Sequence, residues 1–100
     1  MPGTVLKIKA KVWLFPGMVA WHFVTLPKTL SKDIKASFGG MAAGWGSLPV
    51  RVTVGKTSWR TSIFPDKKAG AYLLPLKAEV RKREQIQAGD NLTLNLEILT

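Results

Sequence analysis

The sequence predicts a mainly β fold: a small barrel, closed or nearly closed, with two short helices capping its ends. Three observations point there. Several stretches alternate apolar and polar residues with the period of two that marks a half-buried strand. Two short helical stretches each follow a Leu-Pro pair, Leu26-Pro27 and Leu74-Pro75. The same order of landmarks also recurs in two halves, about residues 4–54 and 57–99: strand, Phe-Pro, turn, strand, Leu-Pro, short helix, glycine-bearing turn, alternating strand. That order predicts an internal pseudo-twofold. Each half is too small to bury both faces of its strands, and pairing the two enlarges the core.

Over residues 4–14 the even positions Leu6, Ile8, Ala10, Val12 and Leu14 are apolar while Lys7, Lys9 and Lys11 take odd ones, which predicts a strand with a lysine stripe outside. Such a stripe protects a sheet edge from pairing with another chain, or faces phosphates. Phe15-Pro16-Gly17 ends this strand. Residues 19–26 (VAWHFVTL) form the second, rich in aromatic and β-branched residues and expected to be central and buried on both sides. Leu26-Pro27 stops it. Leu30, Ile34 and Phe38 then recur at four-residue steps, giving an amphipathic helix over 30–38 with Thr29 or Ser31 as N-cap and Gly39-Gly40 as its stop.

Residues 41–47 (MAAGWGS) make a glycine-rich loop anchored by Trp45, without the spacing of a phosphate-cradling motif. Val50, Val52 and Val54 share one strand face, Gly55-Lys56 is a two-residue turn, and residues 57–64 return as a hairpin partner that Pro65 ends. A polar connection leads to a strand at 71–74, ended by Pro75. Residues 77–86 are helical by propensity, with Glu79 and Arg83 spaced as a surface pair and Val80 and Ile86 facing inward. Gly89-Asp90 turns the chain into a last strand in which Leu92, Leu94, Leu96 and Ile98 alternate with polar residues. Leu30, Ile34 and Val80 are expected to plug the barrel ends.

Composition bounds the function. One hundred residues, 46% of them hydrophobic, with four tryptophans, fit one folded domain. The absence of cysteine removes disulfides and thiol chemistry and suits a reducing compartment, so a cytoplasmic location is expected. No apolar run approaches the ~18 residues of a membrane span, and neither a signal peptide nor membrane association is expected. Fifteen Lys and Arg against six Asp and Glu give a net charge of +9, attractive to nucleic acid or another polyanion and also a source of solubility.

Four blocks are distinctive: WHFVTLP (21–27), GWGSLPVRVTVG (44–55), WRTSIFPDKKAGAYLLPLKAEVRK (59–82) and GDNLTLNLEI (89–98). Through them the chain closely resembles the family numbered nineteen-oh-five among the domains of unknown function, small bacterial and archaeal proteins. The resemblance covers nearly the whole chain and implies a small double-split β-barrel with short capping helices. More loosely, LPLKAEVRKREQIQAGDNLTLNL is similar to the swapped-hairpin module of AbrB-like regulators and MazE-like antitoxins, which bind DNA as dimers. That likeness implies two modules fused in one chain, with no DNA-contacting positions to carry over. A monomer suffices, and the sequence leaves the oligomeric state open.

Catalytic and metal chemistry find little footing. His22 is the single histidine, and Ser58, Thr61 and Ser62 are hydroxyls without a triad's spacing. The six acids show no metal-binding pattern, so neither cofactor nor metal is expected. Trp13, Trp21, Trp45 and Trp59 suit core filling first and a pocket second. Trp21, His22, Trp59 and Thr61 are the candidate pocket residues, for a small molecule or peptide at a barrel mouth. Lys7, Lys9, Lys11, Arg51, Lys56, Arg60, Lys67 and Lys68, on outward faces or turns, are the candidate nucleic-acid contacts. Lys77, Arg81, Lys82 and Arg83 form a separate basic helix face. The expectation is a non-enzymatic binding domain, for an anionic partner such as nucleic acid or alternatively for a ligand in the tryptophan-lined pocket.

Overall fold

Alternating side chains force a sheet to hide one face, and a six-stranded sheet can do so by curling onto itself. A computed structural model describing residues 5–17, 21–42 and 46–99 shows this solution. The strands are β1 (Val5–Leu14), β2 (His22–Thr25), β3 (Leu48–Val54), β4 (Thr57–Asp66), β5 (Ala71–Leu76) and β6 (Asn91–Ile98). Helix α1 (Lys28–Phe38) runs on into a 3-10 turn (Gly39–Met41) and lies between β2 and β3 in the chain; α2 (Ala78–Arg83) lies between β5 and β6. The strands close in the order β1-β2-β5-β4-β3-β6, every neighbour antiparallel. Thr4, Val19, Ala20 and the Trp45 anchor lie outside the described residues.

The barrel interior takes the expected faces: Ile8 and Val12 from β1, Val50, Val52 and Val54 from β3, Leu94, Leu96 and Ile98 from β6. Ile34 of α1, Val80 of α2 and Ile86 beyond it complete the core, while Leu30 is only half-buried. The Glu79–Arg83 pair forms at 3.3 Å on the exposed side of α2.

Five expectations need correction. β2 is four residues long, and only Val24 in it is fully buried, because its outer side is a surface of the barrel. Helix α1 begins at Lys28 with Pro27 as N-cap; Ser31 is instead buried one turn in, its Oγ accepting the Tyr72 N–H at 3.0 Å. Pro65 does not end β4, which continues to Asp66, and Pro75 does not end β5, which continues to Leu76. The β1 strand is not a free edge throughout, since β6 pairs with it from Val5 to Lys11 and β2 from Val12 to Leu14.

Exchanging β1 with β4, β2 with β5 and β3 with β6 leaves the strand order unchanged. The Leu-Pro landmarks do not obey that exchange. Pro27 leads directly into α1, whereas Pro75 sits inside β5 opposite Phe23, and the residue before α2 is Lys77.

Helix α2 is tied to the β3–β4 hairpin. Gly55 takes a positive φ of 58° in the turn, and the Glu84 carboxylate packs against its bare Cα. The same carboxylate accepts the Thr57 hydroxyl at 2.6 Å. With the Arg81 Nε donating to the Leu76 carbonyl at 3.0 Å, these bonds hold both ends of α2 against the barrel.

Candidate functional site

A proline inside β5 splits the barrel wall. The Leu26 N–H donates to the Tyr72 carbonyl, so the even residues of β5 direct their backbone groups at β2, and Leu73 and Pro75 direct theirs at β4. Pro75 has no N–H to give. The β4–β5 ladder accordingly holds only Phe64–Leu73, Pro65–Tyr72 and Asp66–Ala71, and the strands pair no further.

At this split lies a cleft of about 730 Å³, open to solvent. Outward-facing Phe23, Phe64, Leu73 and Pro75 form its apolar floor. Trp59, Thr61 and Leu76, from the inner side of the wall, reach it where the ladder is missing. Trp21, His22 and the start of α2 form the remaining walls. The four candidate pocket residues, Trp21, His22, Trp59 and Thr61, therefore border one cavity, although they come from strands that are not sequence neighbours. Its charged lining residues are Arg60, Lys77 and Arg81, all cations. Apolar walls with a few charged groups are the usual composition of a small-molecule site, and the volume falls in that range.

The cleft continues onto an aromatic surface. Trp13 and Phe23 are cross-strand partners with ring centroids 5.3 Å apart; Phe15 lies 6.3 Å from Trp13 and 6.0 Å from Trp21. The Trp13 indole N–H is satisfied by the Thr25 hydroxyl at 2.9 Å. Trp21 is 51% exposed and Phe15 38%. This corrects the expectation of core tryptophans: among the described residues only Trp59 belongs to the core. Phe15, Phe23 and Phe64 are not among the sequence candidates; the signal available for Phe23 and Phe64 is an apolar residue on the outward phase of β2 and β4, and Phe15 lies just beyond β1.

The cations divide. Lys7, Lys9 and Lys11 on β1, Arg51 on β3 and Arg60 on β4 share the outer face of the β1-β6-β3-β4 sheet, with Arg51 paired in register with both Arg60 and Glu97. Lys56 sits at the tip of the β3–β4 turn. Lys67 and Lys68 lie apart on the β4–β5 turn. Lys67 borders a smaller groove of about 320 Å³ with Lys32, Lys35 and the buried Tyr72, whose phenol is pushed above its ordinary pKa of 10.0 by loss of solvent.

Comparison with known families decides the relationship. The model of a domain of unknown function, DUF1905, matches residues 9–96. The chain belongs to this family. No curated protein matches it. Over its described residues this DUF1905 domain is thus a closed antiparallel barrel of six strands with two short α-helices. Among its described residues no three His, Cys, Asp or Glu side chains gather, and no helix is long and apolar enough to cross a membrane.

Proposed function

We propose that the DUF1905 domain is a non-enzymatic binding module whose cleft takes a small molecule with an apolar body and an anionic head. The supporting observation is the lining: aromatic and aliphatic walls, with Arg60, Lys77 and Arg81 the only charged residues among the described ones that border it. Burial of an apolar chain or ring against Phe23, Phe64 and Pro75 supplies affinity at about 25 cal/mol per Å². A carboxylate or phosphate beside the cations adds charge-assisted hydrogen bonds, which fix orientation. Arg81, held by the Leu76 carbonyl, is pre-positioned for this role.

The test is a calorimetric titration with medium-chain and aryl carboxylates against the matching alcohols. The expected result is preference for the carboxylate by about tenfold or more, reduced when Arg60 and Lys77 are replaced by Gln and lost when Arg81 is replaced as well. Equal affinity for acid and alcohol, or no binding of either at millimolar concentration, would refute the reading.

A further inference from the structure

We infer that the outer face of the β1-β6-β3-β4 sheet is a second binding surface, for the phosphate backbone of duplex nucleic acid, read without regard to sequence. Register assembles it from distant stretches of chain. The row Lys7–Asn95–Thr53–Ser58 crosses four strands, and beside it runs Val5–Glu97–Arg51–Arg60. Lys9 faces Thr93 and Lys11 faces Asn91. The outcome is five cations against the single carboxylate of Glu97, interspersed with Asn, Thr and Ser. None of the five cations forms an ion pair among the described residues.

The composition selects the partner. Lys, Arg, Asn, Thr and Ser side chains are the groups that contact phosphate and sugar oxygens. Along β1 the outward row continues past Lys11 to Trp13, but that ring packs against Phe23 with centroids 5.3 Å apart and its N–H is taken by Thr25, which leaves no free ring among the cations and favours a duplex over a single strand. Their one exposed large apolar side chain is Val5, too little to anchor a protein interface or to enter a lipid headgroup layer; the aromatic groups suited to those partners lie around the cleft. Neighbouring strands are about 4.8 Å apart, so the lysine row of β1 and Arg51 of β3 are separated by two strand spacings, about 10 Å along the sheet, while Arg60 on β4 lies one strand further round the barrel.

The experiment is fluorescence anisotropy of a mixed-sequence duplex of about 20 base pairs at about 50 and 200 mM salt, using the whole chain. With five phosphate contacts the affinity falls about 500-fold between the two conditions, from a slope of roughly −0.9 per contact. K7Q/K9Q/K11Q removes three contacts and reduces the fall to about tenfold. R51Q alone flattens the slope by about 0.9 and serves should the triple variant unfold; thermal melting reports folding for both. W21A, on the cleft, leaves duplex binding unchanged, so failure here is distinct from failure of the small-molecule reading. An unaltered salt slope in both charge variants, tighter binding of single strands than of duplex, or retention on phosphatidylserine vesicles without duplex binding would each overturn the assignment.

Discussion

Replacing Gly55 with Ala tests how α2 is held, and with it the cleft wall. Two costs add. An L side chain at φ 58° occupies the left-handed region, at about 1–2 kcal/mol. Its Cβ would also collide with the Glu84 carboxylate, which must leave and abandon the Thr57 hydroxyl; a hydrogen bond to a charged group contributes about 1.5–3 kcal/mol. G55A should therefore lose about 2.5–5 kcal/mol by urea denaturation. In an E84A background the carboxylate is already gone, and the same substitution should cost only the backbone component of about 1–2 kcal/mol. The double-mutant cycle isolates a coupling of about 1.5–3 kcal/mol. If G55A costs the same in both backgrounds, to within about 0.5 kcal/mol, the carboxylate does not brace the turn and the reasoning fails.

Further expectations follow from the same geometry. Trp59→Ala, which empties both core and cleft wall, should destabilise by about 3–5 kcal/mol in equilibrium unfolding, whereas Trp21→Ala, half exposed, should leave stability nearly unchanged and weaken carboxylate binding in the calorimeter. Pro75→Val restores a donor facing β4; hydrogen exchange should show protection of the new backbone amide at that position, and the cleft should bind carboxylates more weakly as the split narrows. Burial raises the Tyr72 pKa, so the unfolded chain loses the phenolic proton first as pH rises. The stability tied to the neutral phenol is complete below the unfolded value near 10.0 and declines as pH climbs from there through the higher folded value. Tyr72→Phe should remove this component, measured as the difference in urea midpoint between about pH 9 and about pH 11; an identical alkaline loss in wild type and variant would exclude it.

Strands with one face in the core are legible as sequence: β3 and β6 alternate throughout, and β1 does so from Leu6 to Val12, so period and phase appear together. β2 is not, because Phe23, on its outward phase, is as apolar as its inward neighbour Val24. Its outer face is an aromatic surface, and hydropathy alone does not separate an apolar outer face from a second buried one. The prolines mislead for a different reason. A missing N–H interrupts only the ladder on the side toward which that residue points, and that side depends on pairing with distant strands. Pro75 is compatible with β2 and disruptive toward β4. Trp59 and Thr61 are recognisable as sharing a face, but their meeting with Trp21 and His22 depends on β2 and β4 flanking the same strand, β5. The grouping of Lys7, Lys9 and Lys11 with Arg51 likewise depends on β6 lying between β1 and β3, information carried by the far end of the sequence.

The pairing of β1 with β6 also sets a schedule for synthesis. Lys11 and its partner Asn91 are 80 residues apart, so β1 leaves the ribosome long before the strand that covers its flank. At about 5–20 residues per second the wait is roughly 4–16 s. Throughout it the apolar positions Leu6, Ile8 and Ala10 have no barrel to enter, and a second nascent copy of β1 is the nearest alternative partner. Lysines at 7, 9 and 11 set two such strands against each other charge to charge, a gatekeeping role exercised before the native structure exists.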